Sequence, residues 1–287
     1  MRLFVFGTGY CAQRFVQQFG TSFSLLSGTV RSAEKRASIV GIDAHLFSAQ
    51  ERGPELIELV READVLLASI PPGTSGDLVI DAFADVLARK PRQKAIYLSS
   101  IGVYGDHGGA WVDEGSATLT NLQRTQARLA AERSWQRAMQ GNVAILRLGG
   151  IYGPGRNAMT ALRAGTARRI VKPGQVFNRI HVDDVAAAIM QAILHEAAGT
   201  WNVCDDEPAP PQDVVAYAAR LVGTPPPAEE QFETAEMSAM ARSFYAGNCR
   251  VSNTRLKRDL GVTLQYPNYR VGLDALWAAE RCQSDNR

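Results

Sequence analysis

Over the first 150 positions, short apolar, β-favouring runs alternate with longer stretches whose apolar residues recur at helical spacing. The runs predict strands at Arg2–Phe6, Phe23–Thr29, Ala44–Phe47, Asp64–Ile70, Ala95–Ser100 and Val143–Leu148. The stretches between them predict helices at Gln13–Phe19, Ala33–Ile39, Pro54–Glu62, Gly76–Ala88 and Leu119–Met139. Strands alternating with helices imply an α/β fold, a parallel sheet wound on both faces by helices. Ligands of such sheets sit outside the carboxyl ends of the strands. The positions to search are therefore Gly7, Val30–Arg31, Ser69–Pro72, Ser99–Tyr104 and Gly149–Gly153.

Beyond about residue 150 the pattern shortens. Gly153-Pro154-Gly155, Lys172-Pro173-Gly174 and Pro208–Pro211 punctuate smaller elements, and Pro225–Pro227 marks an exposed loop. Helices are predicted at Asp184–His195, Gln212–Leu221 and Arg270–Arg281. The expected organisation is a nucleotide-binding domain over 1–150 and a small C-terminal α/β substrate lobe over 151–287, interleaved with the core through the helix near 184–196.

Composition narrows the class. Of 287 residues, 46% are hydrophobic and 21% charged, with a net charge of +2, so a core of ordinary size is available and no charge excess argues for nucleic acid or a membrane surface. No run of about 18 apolar residues is present, which excludes a membrane-spanning helix on length. Residues 1–7 read as a strand and not as a signal peptide. The four cysteines (Cys11, Cys204, Cys249, Cys282) are far apart and fit a reduced, cytoplasmic setting. The four histidines show no metal-ligand spacing, so no metal is expected. Asp183-Asp184 reads as a helix-capping signal.

The first strand runs into Gly7-Thr8-Gly9-Tyr10-Cys11-Ala12. Gly7 permits a tight turn, Gly9 lets backbone N–H groups approach a pyrophosphate, and Ala12 keeps the helix close to the strand. The helix N-terminus adds unpaired donors and a positive dipole end. A bare strand–helix turn without a ligand is the competing reading. After the second strand, an NAD-selective site expects an acid; this chain has Val30-Arg31-Ser32, so Arg31 and Ser32 are expected on a 2′-phosphate and NADP is preferred over NAD. Ser69, Ile70 and Pro71 are expected to border the cofactor.

Leu98-Ser99-Ser100-Ile101-Gly102-Val103-Tyr104-Gly105 follows a strand, Arg147-Leu148-Gly149-Gly150-Ile151-Tyr152-Gly153-Pro154 another, and Arg179-Ile180-His181-Val182-Asp183-Asp184 a third. With the N-terminal glycine turn, these segments resemble the extended short-chain dehydrogenase/reductase (NAD-dependent epimerase/dehydratase) family over roughly residues 1–275. The resemblance implies a Rossmann-type doubly wound sheet, Ser100 as the catalytic serine, and cofactor contacts at Ser99, Gly150 and Ile151. It also implies a Tyr-x-x-x-Lys pair on the helix after the serine. This chain instead has Arg124 and Arg128 in those positions, with Glu132 matching, as in an atypical branch of the family. Arg128 can hold ribose hydroxyls and supply a fixed charge. Arg124 cannot exchange a proton, because guanidinium stays charged in proteins, but it can stabilise an oxyanion or bind a carboxylate or phosphate. Tyr104 is the nearest alternative phenol; a packing role competes, as a turn role does for Ser100 and a solvated face for the arginines.

Two functions follow. One is an NAD(P)-dependent epimerase/dehydratase-like oxidoreductase acting on a small carbonyl or hydroxyl compound, of which a nucleotide sugar is the instance implied by resemblance. The other is an NADP(H)-binding sensor or scaffold without hydride transfer. The partners expected are a small-molecule substrate and, as an assembly, a homodimer.

Overall fold

The computed structural model describes residues 1–48, 52–73, 76–90 and 92–285. Its first half runs β1 (Arg2–Phe6), α1 (Tyr10–Phe19), β2 (Leu25–Val30), α2 (Ala33–Ser38), β3 (Asp43–Leu46), α3 (Pro54–Glu62), β4 (Val65–Ala68), α4 (Leu78–Leu87), β5 (Lys94–Ser100), β6 (Trp111–Val112), α5 (Gln123–Ala138) and β7 (Val143–Leu148). There follow β8 (Gly150–Tyr152), α6 (Ala158–Arg163), β9 (Arg169–Val171), β10 (Arg179–His181), α7 (Val182–Leu194), β11 (Gly199–Val203) and α8 (Pro211–Leu221). The chain closes with β12 (Glu229–Gln231), α9 (Ala239–Ser243), β13 (Arg250–Val251), α10 (Thr254–Leu260) and α11 (Tyr269–Asp285).

Seven strands pair in parallel in the order β11-β7-β5-β4-β1-β2-β3, the Rossmann-type sheet expected from the alternation. Strand periodicity divides the core. Leu3, Val5, Ile96, Leu98, Ala144 and Leu146 face α1 and α7, whereas Phe4, Phe6, Tyr97, Val143 and Ile145 face α3, α4 and α5. Both faces are covered, so the strands read as near-continuous apolar runs. The C-terminal half is not separate from this core: α7 packs on α1's face of the sheet and β11 adds the edge strand beside β7. Its remaining elements form a smaller lobe around Tyr152, Met159, Val214, Tyr269 and Leu273.

Several predicted boundaries move, among them the start of the first helix, at Tyr10 instead of Gln13, and three of the shifts have a visible cause. The long helix begins at Gln123 instead of 119, because Leu119 is held as loop by its N–H on the Tyr104 carbonyl, 2.8 Å. The fourth helix begins at Leu78, where the buried Asp77 carboxylate accepts from the N–H groups of Val79 and Ile80. The helix expected from Asp184 begins at Val182, and its cap is His181, whose ring nitrogen accepts from the Asp183 N–H. Asp183 and Asp184 are thus not the cap. Asp183 takes the Arg14 guanidinium on two oxygens, and Asp184 accepts from the N–H groups of Gln265 and Tyr266, tying the C-terminal segment to α7. Among the described residues no helix is long and apolar enough to cross a membrane.

Candidate functional site

The turn after β1 is built for close backbone approach. Gly7 has φ +84°, and a side chain there would meet Ile70 Cγ1 at 2.6 Å and the Ile70 backbone nitrogen at 3.3 Å. Its N–H donates to Thr29 Oγ1 at 2.9 Å. Gly9 caps α1 in an extended conformation; no side chain caps the helix and no acid lies in its first turn. A Cβ at Gly9 would meet nothing nearer than Ser69 Oγ at 3.9 Å, so it would fill the groove and not the protein. The first-turn N–H groups at Tyr10, Cys11 and Ala12 therefore end at an open, positively polarised surface that fits a pyrophosphate. Ser69, whose N–H donates to the Phe6 carbonyl, and Ile70 border this groove, with Pro71 exposed beyond them.

Some expected contacts are engaged elsewhere. Thr8 is buried, its N–H and hydroxyl both donating to the Thr29 carbonyl. The Cys11 thiol is buried, which pushes its pKa up to about 11, so only its backbone faces the groove. The Tyr10 hydroxyl donates to the Pro154 carbonyl, linking α1 to the loop after β8. Arg31 is exposed at the end of β2 and meets no acid among the described residues; Ser32 Oγ accepts from the Lys35 N–H as the cap of α2. Gly150 and Ile151 lie in β8, paired with β10, with the Gly150 N–H on the Asn178 carbonyl.

At the end of β5 the two serines diverge by parity. Ser99 faces α5 directly opposite Arg147 on β7, and its buried hydroxyl donates to Glu132 at 2.5 Å. The side chain expected at the cofactor is thus turned under α5, and only the Ser99 backbone is left for that contact. Ser100 is half-buried at the strand end; its Oγ accepts from the Gly102 N–H at 3.1 Å, which leaves its own proton free to donate. A side chain at Gly102 would lie 2.9 Å from Thr125 Cγ2 and 3.4 Å from Ser100 Oγ, so the serine loop and the start of α5 meet there.

Tyr104 is not a stand-in acid. It is fully buried; its hydroxyl donates to Asn202 Oδ1 at 2.7 Å and accepts from Arg147 Nη1 at 3.1 Å, and burial raises its pKa. Arg147 also grips Glu132 on two oxygens, at 3.1 and 2.8 Å, so Ser99, Glu132, Arg147, Tyr104 and Asn202 form one buried polar chain beneath the site. Asn202 and Thr29 escape sequence reasoning as site residues, since the partner of each side chain, Tyr104 and the Gly7 N–H, lies far away in the chain. Arg147 carries a signal of its own: a charge inside an otherwise apolar strand demands a buried partner.

The two candidate arginines of α5 reach in different directions. Arg128 Nη1 donates to the Leu98 carbonyl at 3.0 Å and to the Tyr97 hydroxyl at 3.1 Å, fixing a positive charge against β5. Arg124, one turn earlier, crosses to the lobe, where Nη1 meets Ser243 Oγ and Met240 Sδ and the guanidinium lies 4.4 Å from the Phe244 ring centre. Ser243, Met240 and Phe244 were not anticipated, because their approach to Arg124 is a tertiary event across more than 110 residues.

A second group of buried polar atoms lies where β10 and β11 end. The Asp205 carboxylate is 2% exposed; Oδ1 accepts from the Glu207 N–H while Oδ2 meets no donor among the described residues, and burial raises its pKa to about 8. A carboxyl raised above its unfolded value stabilises the fold below about pH 4, and that contribution is lost progressively as pH rises to about 8. Melting temperature is therefore expected to fall from pH 4 to 8 less steeply in Asp205→Asn than in the unsubstituted protein, as followed by circular dichroism at matched ionic strength.

The sequence profile of the NAD dependent epimerase/dehydratase family matches residues 79–204. The chain is 31% identical over 265 residues to the protein YeeZ of Escherichia coli (strain K12), covering 84% of this chain and 87% of that protein. It is 34% identical over 137 residues to a 3-diazoavenalumate denitrifying reductase of a Streptomyces species, covering 45% of each. In structure it is similar to a conserved protein of unknown function from Silicibacter pomeroyi DSS, with a TM-score of 0.89 and 42% identity over 97% of this chain and 99% of that one.

Proposed function

The chain belongs to the NAD-dependent epimerase/dehydratase family, an extended short-chain dehydrogenase/reductase group, and from that premise we propose that it is an NADP(H)-dependent oxidoreductase acting on a small carbonyl or hydroxyl compound. The observation that carries the reading is the pairing of an open glycine groove at α1 with a free Ser100 proton beside a fixed Arg128. When bound, the nicotinamide supplies or accepts a hydride. Ser100 donates a hydrogen bond to the substrate oxygen, and the fixed charge of Arg128 stabilises negative charge developing there, with Arg124 turned toward the lobe. Neither guanidinium gives up a proton, so reduction of a carbonyl takes its proton from water at the cleft mouth. The relative named as a reductase, similar over 45% of this chain, supports a reductive reading. A nucleotide sugar remains one instance of the substrate, and a homodimer the expected assembly.

The test is a screen of carbonyl compounds and nucleotide sugars for NADPH consumption. Turnover is expected, with Ser100→Ala reducing it by about 10²-fold or more while NADPH still binds, the scale seen when one oxyanion donor is removed. Arg124 in the tyrosine position favours a second reading, an NADP(H)-binding sensor, and saturable cofactor binding with no turnover across the screen would select it. Cofactor preference is read separately. Arg31→Ala is expected to weaken NADPH about tenfold, roughly 1.4 kcal/mol, and to leave NADH unchanged in a fluorescence titration.

A further inference from the structure

The guanidinium has two edges; several arginines of this protein hold an acid through a single nitrogen, as Arg61 holds Glu58 and Arg270 holds Glu207 through Nη1, whereas three use the Nε/Nη2 edge as a fork. Arg14 grips Asp183, Arg147 grips Glu132 and Arg168 grips Glu230, each through Nε and Nη2 onto the two oxygens of the acid. That side-on fork is the geometry that matches a planar two-oxygen anion. Arg124 presents the same edge differently. Its only bonds among the described residues come from Nη1, to Ser243 Oγ and Met240 Sδ, and neither acceptor is charged. Its plane is set by the Phe244 ring, 4.4 Å from ring centre to guanidinium carbon. Nε and Nη2 meet no acid and no other acceptor among the described residues.

The surroundings suit an amphiphilic guest. Phe244 and Met240 are 57% and 59% exposed, and both touch the guanidinium. The Arg124 backbone lies in the first turn of α5, which has no side-chain cap and no acidic residue, so the local potential is positive. Thr125, the next residue, abuts Gly102, so the first turn of α5 that carries Arg124 lies against the Ser100 loop.

We propose that Arg124 is the specificity residue of the site: the substrate carries a carboxylate, received on the Nε/Nη2 edge, with an apolar portion against Phe244 and Met240. The inference rests on the oxidoreductase reading for the word substrate, but its binding chemistry does not depend on turnover. Arg124 then anchors the ligand by charge at the place from which a tyrosine would move a proton.

The experiment is isothermal titration of the NADPH-saturated protein with benzoate and 3-phenylpropanoate, with benzamide as the neutral control and inorganic phosphate and UDP-glucose as phosphate-bearing probes. Carboxylate binding is expected, with benzamide bound at least about tenfold more weakly. Arg124→Gln should abolish the discrimination. Arg124→Lys, which keeps charge and loses the fork, should retain only part of it. A merely structural tie to the lobe would shift the melting temperature of these variants without changing the carboxylate-to-amide ratio. Equal binding of benzoate and benzamide, no carboxylate binding up to ~10 mM, or an Arg124-dependent preference for phosphate or UDP-glucose would each overturn the proposal. Failure of NADPH itself to bind is read in the preceding titration and speaks against the oxidoreductase instead.

Discussion

Replacing Gly9 with aspartate should abolish NADPH binding while leaving the protein as stable as before or slightly more so. The two halves of this expectation come from one position. Gly9 is the N-cap of α1 with φ −79° and ψ −169°, a conformation any residue adopts, and a side chain there meets no protein atom within 3.9 Å. Aspartate is among the best N-cap residues and favours the positive end of the helix, so folding does not suffer. The same carboxylate would occupy the groove and repel a pyrophosphate. A loss of at least about 100-fold in affinity, roughly 2.7 kcal/mol, is expected by fluorescence titration, with a melting temperature equal to or above that of the parent protein. Wild-type affinity in the variant would show that NADPH does not use this groove. Gly7→Ala provides the contrast, because its methyl group lies 2.6 Å from Ile70 at φ +84°, and it should cost stability as well as binding.

The largest loss of stability is expected from Glu132→Ala. Glu132 and Arg147 are both buried, with side chains 4% and 8% exposed, and the pair is bidentate. Removing the acid leaves a guanidinium charged in the interior and orphans the Ser99 hydroxyl as well. Breaking a buried pair from one side costs about 3–5 kcal/mol. In a chain of this size that corresponds to a fall in melting temperature of roughly 6–15 °C. The double variant Glu132→Leu with Arg147→Met removes both charges and should recover most of the loss in a urea or thermal unfolding series. If the double variant is no more stable than Glu132→Ala, the damage is to packing and the charge argument fails.

How much of this was legible in the chain depends on which interactions are local. The sheet follows from alternating runs of β1, β2, β4, β5 and β7, because parallel strands buried on both faces are apolar throughout. The glycine turn is local too, and the structure gives each of its glycines the geometry its position implies. Ser99 shows the limit. Motif similarity put it beside the cofactor, whereas strand parity puts it on the face of Tyr97 and Arg147, under α5. Tyr104 fails for a related reason: spacing in sequence brings it near Ser100, but its ring turns inward to Arg147 and Asn202, which is 98 residues away. Arg124 was singled out from its position on the helix, yet what it touches could not be read, since Met240, Ser243 and Phe244 approach it only through the folding of the lobe.

The edge strand β11 carries a consequence for how the chain is made and taken apart. Residues 149–198 intervene between β7 and the strand that covers it. A ribosome that has released only the first 150 residues has exposed Val143–Leu148 as a bare edge, apolar except for Arg147, with its backbone donors and acceptors unpaired on one side. The nucleotide-binding half is therefore a poor candidate for excision or grafting as an independent module. A fragment ending near 150 should aggregate during synthesis, and one ending near 210, which includes β11, marks the shortest N-terminal piece whose sheet is closed by its own chain.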